Sequence, residues 1–384
     1  MKFTIEKSRL APAMAALMAV VERRTTIQIL SHVRVEAGDG GLAISASDLD
    51  IWLTASLPAD VIEPGALALP AARLEEIARN MPDGGQVSAA IEEGGSRISL
   101  KAGRARYALN TLPAADWPEG ALGQGEEPVA EIALPARLML RLAGEPGHAI
   151  SNEPTRYYLM GLHLRARDGG GGLDAVATNG HKLHLIETSL EAPGANSIIP
   201  AKTVAVMGRL AKAAPEAEAR LAIWPTRLAI EIGGWRLASK LIDGSFPDYR
   251  RVIPNGLPHL VRFDAAGLKA AIERVMAVND EKSKAVKLEI SGGGESLSAN
   301  VSSRNGSGEE AREEISAEIA GGASGRADIA IGFNGAYARE ILAALDGDTV
   351  TIAYADPGSP MLWRRGGGGP EGGSALCVLM PMRA

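Results

Sequence analysis

Ala68-Leu69-Pro70-Ala71-Ala72-Arg73-Leu74 is a strand running into a helix, and the junction returns as Ile199-Pro200-Ala201-Lys202 and as Ile331-Gly332-Phe333-Asn334, each about 130 positions after the last. A second junction of the same kind precedes it each time. Leu10, Leu138 and Leu268, 128 and 130 positions apart, each open a helical run after a short strand (Lys2 to Glu6, Val129 to Ala133, Leu260 to Asp264). The two kinds of junction even resemble each other, since Ala-Leu-Pro-Ala stands at Ala68 to Ala71 and again at Ala133 to Ala136. Self-similarity at a fixed spacing marks a repeated unit. The simplest architecture is an α+β fold of three similar tandem domains, 1–127, 128–256 and 257–384, each made of two strand-helix half-units with helices packed on antiparallel sheets.

A length of 384 residues suits three domains of roughly 100 to 200 residues each. Hydrophobic residues at 46% suffice for ordinary cores, while aromatics at 4% leave Leu, Val, Ile and Ala to fill them. No stretch approaches the roughly 18 apolar residues of a membrane span, and Met1-Lys2-Phe3-Thr4-Ile5-Glu6 has no apolar signal core, so no membrane partner and a cytoplasmic location are expected. The single cysteine, Cys377, rules out an intrachain disulfide, and its apolar run Leu376 to Leu379 reads as buried filler.

After the first helix of each third come two strands with a glycine-bearing turn: Val33 to Ala37 with Leu42 to Ala46, Leu162 to Arg167 with Leu173 to Thr178, and Val286 to Ser291 with Leu297 to Val301. Their period-two alternation predicts sheets with one buried face. The first helix is expected to begin at Ser8 as cap, with Pro12 in its first turn and with Leu10, Met14, Leu17, Met18 and Val21 on the sheet side. Turn formers at Gly123 to Pro128 and Pro254 to Pro258 mark the domain boundaries. Gly169 to Gly172 and Gly366 to Gly373 read as hairpin loops, because no Gly-Lys-Ser/Thr ending and no helix follow them.

Charge placement says more than charge total. The chain carries −6 overall, yet the six predicted helices (8 to 22, 71 to 80, 136 to 147, 201 to 213, 265 to 275, 335 to 345) hold 11 positive and 6 negative side chains. A net +5 on helices against −11 elsewhere predicts a basic helical wall on a protein that otherwise repels polyanions. Loops add Arg23-Arg24, Arg104-Ala105-Arg106-Tyr107, Arg156-Tyr157-Tyr158 and Lys282-Ser283-Lys284, where cations stand beside hydroxyls or aromatic rings. Tyr107, alternating with Leu109, reads by itself as strand packing.

Catalytic patterns are weak. His181 and His184 lie three apart on a predicted strand, which points them to opposite faces, and no third ligand is expected near them, so no metal and no cofactor is called for. Asp48 and Asp50 share one face of a predicted strand and read as its polar side more simply than as an acid/base pair. Neither a nucleophile elbow nor a nucleotide loop is present. A non-enzymatic protein follows.

Five runs then become specific: Thr111-Leu112-Pro113-Ala114-Ala115-Asp116-Trp117-Pro118; Arg156-Tyr157-Tyr158-Leu159; Ala177-Thr178-Asn179-Gly180-His181-Lys182-Leu183; Ser239 to Val252; and Met380-Pro381-Met382-Arg383. In order and from end to end, they resemble the bacterial sliding clamps, the beta subunits of DNA polymerase III. The resemblance implies the DNA-clamp fold and a head-to-tail homodimer whose six domains close a ring around duplex DNA, with helices lining the hole. It implies a processivity function: tethering the replicative DNA polymerase, and docking the clamp loader complex and repair proteins through a peptide-binding groove. Arg24, Arg73, Arg104, Arg106, Tyr157, Tyr158 and Lys202 would face DNA. Tyr107 and Leu109 of one subunit would meet Ala277 and Val278 of the other. The groove would take in Leu159, Thr178, Gly180, His181, Lys182, Leu183, Pro247, Arg251, Val252, Val378, Leu379, Met380, Pro381 and Met382.

The chain departs from the family pattern at Lys182, where arginine is frequent, at Ala384, and in Gly366 to Gly373, which bears on groove depth and peptide preference. A peptide-docking scaffold that never encircles DNA, and a hydrolase built on Asp48 and Asp50, are the competing readings.

Overall fold

A computed structural model describes residues 1–118, 120, 126–279, 284–293, 296–322, 329–366 and 373–383. The first third runs β1 (Lys2–Glu6), α1 (Lys7–Leu17), β2 (His32–Gly38), β3 (Gly41–Ser47), β4 (Ile51–Leu57), β5 (Asp60–Glu63) and β6 (Gly65–Pro70). It continues with α2 (Ala71–Asn80), β7 (Gln86–Ile91), β8 (Arg97–Ala102), β9 (Ala105–Asn110) and β10 (Leu112–Pro113). The second holds β11 (Ala130–Pro135), α3 (Ala136–Gly144), β12 (Gly161–Ala166), β13 (Leu173–Thr178) and β14 (Lys182–Glu187). Then follow β15 (Asn196–Pro200), α4 (Ala201–Ala213), β16 (Glu218–Ile223), β17 (Arg227–Ile232) and β18 (Trp235–Lys240). The last holds β19 (His259–Asp264), α5 (Ala265–Val275), β20 (Ala285–Gly293), β21 (Ser296–Arg304), β22 (Glu310–Ile315) and β23 (Glu318–Gly322). It ends with β24 (Ile329–Asn334), α6 (Gly335–Leu345), β25 (Thr349–Tyr354), β26 (Met361–Arg365) and β27 (Ser374–Leu379).

One pairing rule repeats in all three. The strand before the first helix pairs antiparallel with the strand after the second: β1 with β7, β11 with β16, β19 with β25. The strand after the first helix pairs with the strand before the second: β2 with β6, β12 with β15, β20 with β24. Each third is therefore a pair of strand-helix half-units, as the recurring junctions predict.

Compactness does not follow the thirds. One unit comprises Met1–Arg141 with Lys202–Leu241, and the other Leu142–Ala201 with Ile242–Ala384. Sheet continuity is the reason. In the first unit β4 pairs with β18, so a nine-stranded sheet runs β10-β6-β2-β3-β4-β18-β17-β16-β11 beside a five-stranded sheet β5-β1-β7-β8-β9. In the second unit β14 pairs with β27, giving β15-β12-β13-β14-β27-β26-β25-β19-β23 beside a four-stranded sheet β22-β21-β20-β24.

Four of the six helices span the predicted residues; two are shorter. The first helix spans Lys7–Leu17, not 8 to 22, and its cap position is Glu6, whose side chain caps nothing, while Ser8 Oγ donates to Glu6 Oε2 at 3.1 Å. Strand β1 runs straight into it and leaves no loop residue to turn a side chain back. Pro12 falls in the second turn, where its missing N–H leaves the Ser8 carbonyl without a helical donor. Beyond Leu17 the chain tightens, Ala19 N donating to Ala16 O and Val20 N to Leu17 O, and such i to i+3 bonds end an α-helix early. The third helix stops at Gly144 because Pro146 cannot donate to the next carbonyl. Helices α5 and α6 have side-chain caps: Asp264 accepts from Gly267 N, and Asn334 from Ala336 N and Tyr337 N.

Alternation holds where a sheet face meets solvent, as in β8 and β16. It fails in β13, every residue of which is buried, and in β14, where only Glu187 is not. Their sheet is covered on both sides. One face carries Val176, Leu183, Leu185, Leu362, Leu376 and Val378 under Phe246, Tyr249, Ile253 and Leu257; on the other, the Pro146–Ala149 turn packs on β13 and β14, and Trp363, Cys377 and Leu379 of β26 and β27 join the core of the last third. The loop at Gly169 to Gly172 is the β12–β13 hairpin connection. Residues 367–372, Gly123 to Gly125 and Ala384 lie outside the described residues. Among the described residues no helix is long and apolar enough to cross a membrane.

The β4–β18 seam is dry at Leu53, which pairs with Leu237 and is fully buried. Leu53→Ala is expected to cost about 2–5 kcal/mol through lost contact and an unfilled cavity, read as a lower urea midpoint.

Candidate docking groove and cationic residues

The groove candidates gather in the second unit around the β13–β14 turn and the chain end. Thr178 Oγ1 donates to Lys182 O at 2.8 Å and accepts from Gly180 N at 3.1 Å, while Asn179 Oδ1 accepts from His181 N and Lys182 N at 3.0 Å each. Gly180 sits at φ +87 with the tip of the Arg156 guanidinium where a Cβ would lie, so a larger residue meets backbone strain and must push that tip aside. Met380 N then donates to His181 O at 2.9 Å and Met382 N to Gly332 O at 2.8 Å, fastening the tail beside the turn.

Burial sorts the fourteen predicted groove residues. Leu159, Thr178, Lys182, Leu183, Val378 and Leu379 are buried and back the surface without forming it. Gly180, His181, Pro247, Arg251, Val252, Met380 and Met382 are exposed, and Pro381 is half-buried. Val252 at 47%, Met380 at 37% and Met382 at 41% are large apolar side chains left in water. The segment bearing Pro247, Arg251 and Val252 is anchored by Tyr249, whose hydroxyl donates to the fully buried Asp174 at 2.6 Å. Burial first, and the Asp174 bond second, hold the Tyr249 phenol well above its ordinary pKa. Arg250 also donates to Asp174, and Arg167 approaches it at 3.4 Å. Arg251 stays in solvent and pairs with Asp248 at 3.0 Å.

Lys182 behaves unlike the surface cation its place in the groove motif suggests. Its stem is buried, its ammonium donates to Glu340, and it lies 4.6 Å from the Tyr337 ring centroid. Burial lowers its pKa, and the Glu340 bond offsets only part of that. Tyr337 in turn stacks against His181 at 6.3 Å. Tyr337 and Glu340 were missed by sequence reasoning; they sit one turn apart on α6, about 155 positions from the turn they support, and no local pattern links them to it.

The predicted DNA-facing cations are mostly free of strong commitment. Arg24, Arg104 and Arg106 are exposed, and Arg73 is loosely paired to Glu76 at 3.5 Å. Lys202 is the exception, donating to Asp48 at 2.6 Å, Glu22 at 3.2 Å and Val20 O at 3.3 Å. Its burial alone would lower its pKa, but the Asp48 and Glu22 carboxylates outweigh that and raise it. In the second unit Tyr157 is 52% exposed and meets Tyr158 edge-on at 5.7 Å. Tyr107, read as packing, instead stands 37% exposed on β9, the edge strand of its sheet, beside a half-buried Leu109. Ala277 is exposed and Val278 half-buried, just after α5. Lys284 is described, while Lys282 and Ser283 lie outside the described residues. Within their observed bounds the α-helices hold twelve positive and four negative side chains, a sharper segregation than the predicted boundaries suggest.

Two sequence expectations are overturned. Asp48 and Asp50 lie in the turn between β3 and β4, not on a strand: Leu49 takes φ +75, and Asp48 Oδ1 accepts from Asp50 N and Ile51 N. Asp50 pairs with Lys240 at 2.8 Å, so each carboxylate has its own cation. The absence of a third ligand near His184 is also wrong, since His148 and Cys377 approach it from distant parts of the chain. A pocket of about 350 Å³ near the β4–β18 seam, lined by Trp52, Arg227 and Leu241 among others, had no sequence signal either.

Comparison with known proteins agrees along the whole length. The family description "DNA polymerase III beta subunit, N-terminal domain" matches residues 1–121, the central-domain description 133–248, and the C-terminal-domain description 250–383. A beta sliding clamp of Caulobacter vibrioides is 36% identical over 390 residues, and one of Escherichia coli K12 is 31% identical over 386, each pair covered completely. Among solved structures, the sliding clamp of Pseudomonas aeruginosa bound to griselimycin superposes with a TM-score of 0.89 at 30% identity, both chains fully covered. That of Bartonella birtlesii bound to griselimycin gives 0.88 at 30%, with the same coverage.

Tyr249→Phe removes a donor from a buried carboxylate and is expected to lower stability by about 1–3 kcal/mol, measured by urea unfolding, with the far-UV spectrum unchanged.

Proposed function

Because the chain belongs to the family of DNA polymerase III beta subunits, we propose that two copies close head to tail into a ring that encircles duplex DNA and tethers the replicative polymerase. Sheet edges carry the closure. The last strand of one meander meets the last strand of another twice inside the chain, β4 on β18 and β14 on β27. That leaves β22 and β9 as the corresponding open edges. Laying β22 of one copy on β9 of a second joins four strands to five and makes a nine-stranded sheet, the size of the two already present. Done at both ends, it removes every such edge, and a heterologous contact that closes yields a finite dimer. Tyr107 and Leu109 lie on β9, and Val278 O accepts from Asn305 Nδ2 at 3.0 Å close to β22. Ala277 and Val278 are thus on the complementary side.

A ring needs no base contacts to stay on DNA. Cations on helices and loops, Arg24, Arg73, Arg104, Arg106 and Lys202, with Tyr157 and Tyr158, supply weak sequence-independent contacts that let it slide. A polymerase held by its own short peptide then stays at high effective concentration near the primer end. The exposed Val252, Met380 and Met382 around Pro247, His181 and Arg251 receive that peptide, and methionine side chains adapt to several sequences, as shared use by polymerase, clamp loader and repair proteins requires. The domains 1–127, 128–256 and 257–384 remain our assignment of the repeat, although the compact units cut across it. The work is mechanical, with no covalent step asked of any residue.

Light scattering is expected to give a mass near twice 40.0 kDa, and Leu109→Asp to raise the dimer dissociation constant about tenfold or more. The assembled protein should stay on a nicked circular plasmid and be lost when the plasmid is linearised; retention on linear ends would favour the scaffold reading. Replacing Met380 and Met382 with alanine should weaken binding of a polymerase-derived peptide about tenfold or more, measured by fluorescence polarisation, and leave DNA retention intact.

A further inference from the structure

We propose that His148, His184 and Cys377 form a binding site for one divalent transition-metal ion of the zinc class, at the seam where β14 pairs with β27. Their donor atoms lie within 4.8 Å of one another. His184 and Cys377 face each other across the β14–β27 ladder, and His148 comes from the short 3-10 turn Pro146–Ala149. His148 Nε2 is 3.0 Å and Cys377 Sγ 3.2 Å from the same atom, His184 Nδ1. One imidazole nitrogen carries either one proton or one lone pair, so it cannot satisfy two neighbours by hydrogen bonding. The other ring nitrogen of His148 is buried without a hydrogen-bond partner among the described residues, so the cluster is not a closed polar network.

An ion resolves the conflict. Two imidazoles and a thiolate are the donor set zinc prefers, and tetrahedral bonds of about 2.0–2.3 Å place donors roughly 3.3–3.6 Å apart. Both short sides of the triangle need open by only a few tenths of an ångström. Glu145 Oε2 lies 3.8 Å from His184 Nε2, the far side of that ring, where a carboxylate orients a metal-bound histidine. Burial first, and the Lys182 charge second, hold the His148 imidazole well below its ordinary pKa. The same burial pushes the Cys377 thiol well up, so binding must displace its proton to solvent. Lys182 is the nearby cation that opposes the ion, but Glu340 holds its ammonium. His184 and Cys377 are fully buried, and only half-buried His148 offers an entry. Three protein donors leave a fourth position for water.

Cys377 is the only cysteine, which makes the test unambiguous. The full chain, stripped with a chelator, is titrated with Co²⁺ and then Zn²⁺. A thiolate-to-cobalt absorption band saturating at one ion per chain, bleached by Zn²⁺ and accompanied by a higher thermal midpoint, is expected. Cys377→Ser should abolish the band, and Glu145→Gln should keep it while weakening affinity about 10- to 100-fold. Should Cys377→Ser fail to fold by circular dichroism, His148→Ala at the rim carries the test, with at least as large a loss. A folded wild-type chain without the band, or a band that survives His148→Ala unchanged, overturns the site.

Discussion

Backbone hydrogen bonds at sheet edges organise this molecule. A strand with an open edge presents a row of unpaired N–H and C=O groups, and each must find a partner, water or another chain. Here the third strands of four of the six meanders resolve that demand by pairing with one another, β4 with β18 and β14 with β27. Sheets of nine strands result, and the compact units are set by those sheets instead of by chain order. The two edges left over, β9 and β22, are where the proposed self-association would pair.

Sheet continuity also decides what is buried. Strands β13, β14 and β27 sit in the middle of their sheet with the 246–257 segment on one face; on the other, the Pro146–Ala149 turn covers β13 and β14 and the core of the last third covers β27. Polar side chains caught there must be matched. Asp174 takes Tyr249 and Arg250, Lys182 takes Glu340, and His184 is drawn between His148 and Cys377. The same burial that makes an unpaired charge costly makes each of these pairs specific, since removing one partner strands the other. What remains outside is a rim of methionine, valine, proline and histidine with little polar commitment, suited to an apolar peptide.

Charge follows a different logic. An acidic chain that is to hold duplex DNA, as proposed, must confine its cations, and twelve of them lie on helices that carry only four acids. Lys202 shows the limit of the scheme. Asp48 and Glu22 raise its pKa and keep it charged, and in the proposed ring they would compete with phosphate for it, favouring weak contact over tight binding.

The repeat was legible because it is local. Junctions such as Ala68 to Leu74 and the bounds of α2, α4, α5 and α6 depend on neighbours a few positions away, and the family motifs reported the rest. Errors arose where local signs conflict with context. Ser8 is a good cap in isolation, but β1 leaves it no place to act, and Asp48 and Asp50 alternate like strand residues, but Leu49 turns the chain between them. Tertiary structure alone decided which groove residues are surface and which are support, placed Tyr337 and Glu340 beneath Lys182, and brought His148 and Cys377 to His184. Those outcomes rest on strand pairings between residues as distant in the chain as Lys182 and Leu379, and no short-range period in a sequence encodes a partner at that distance.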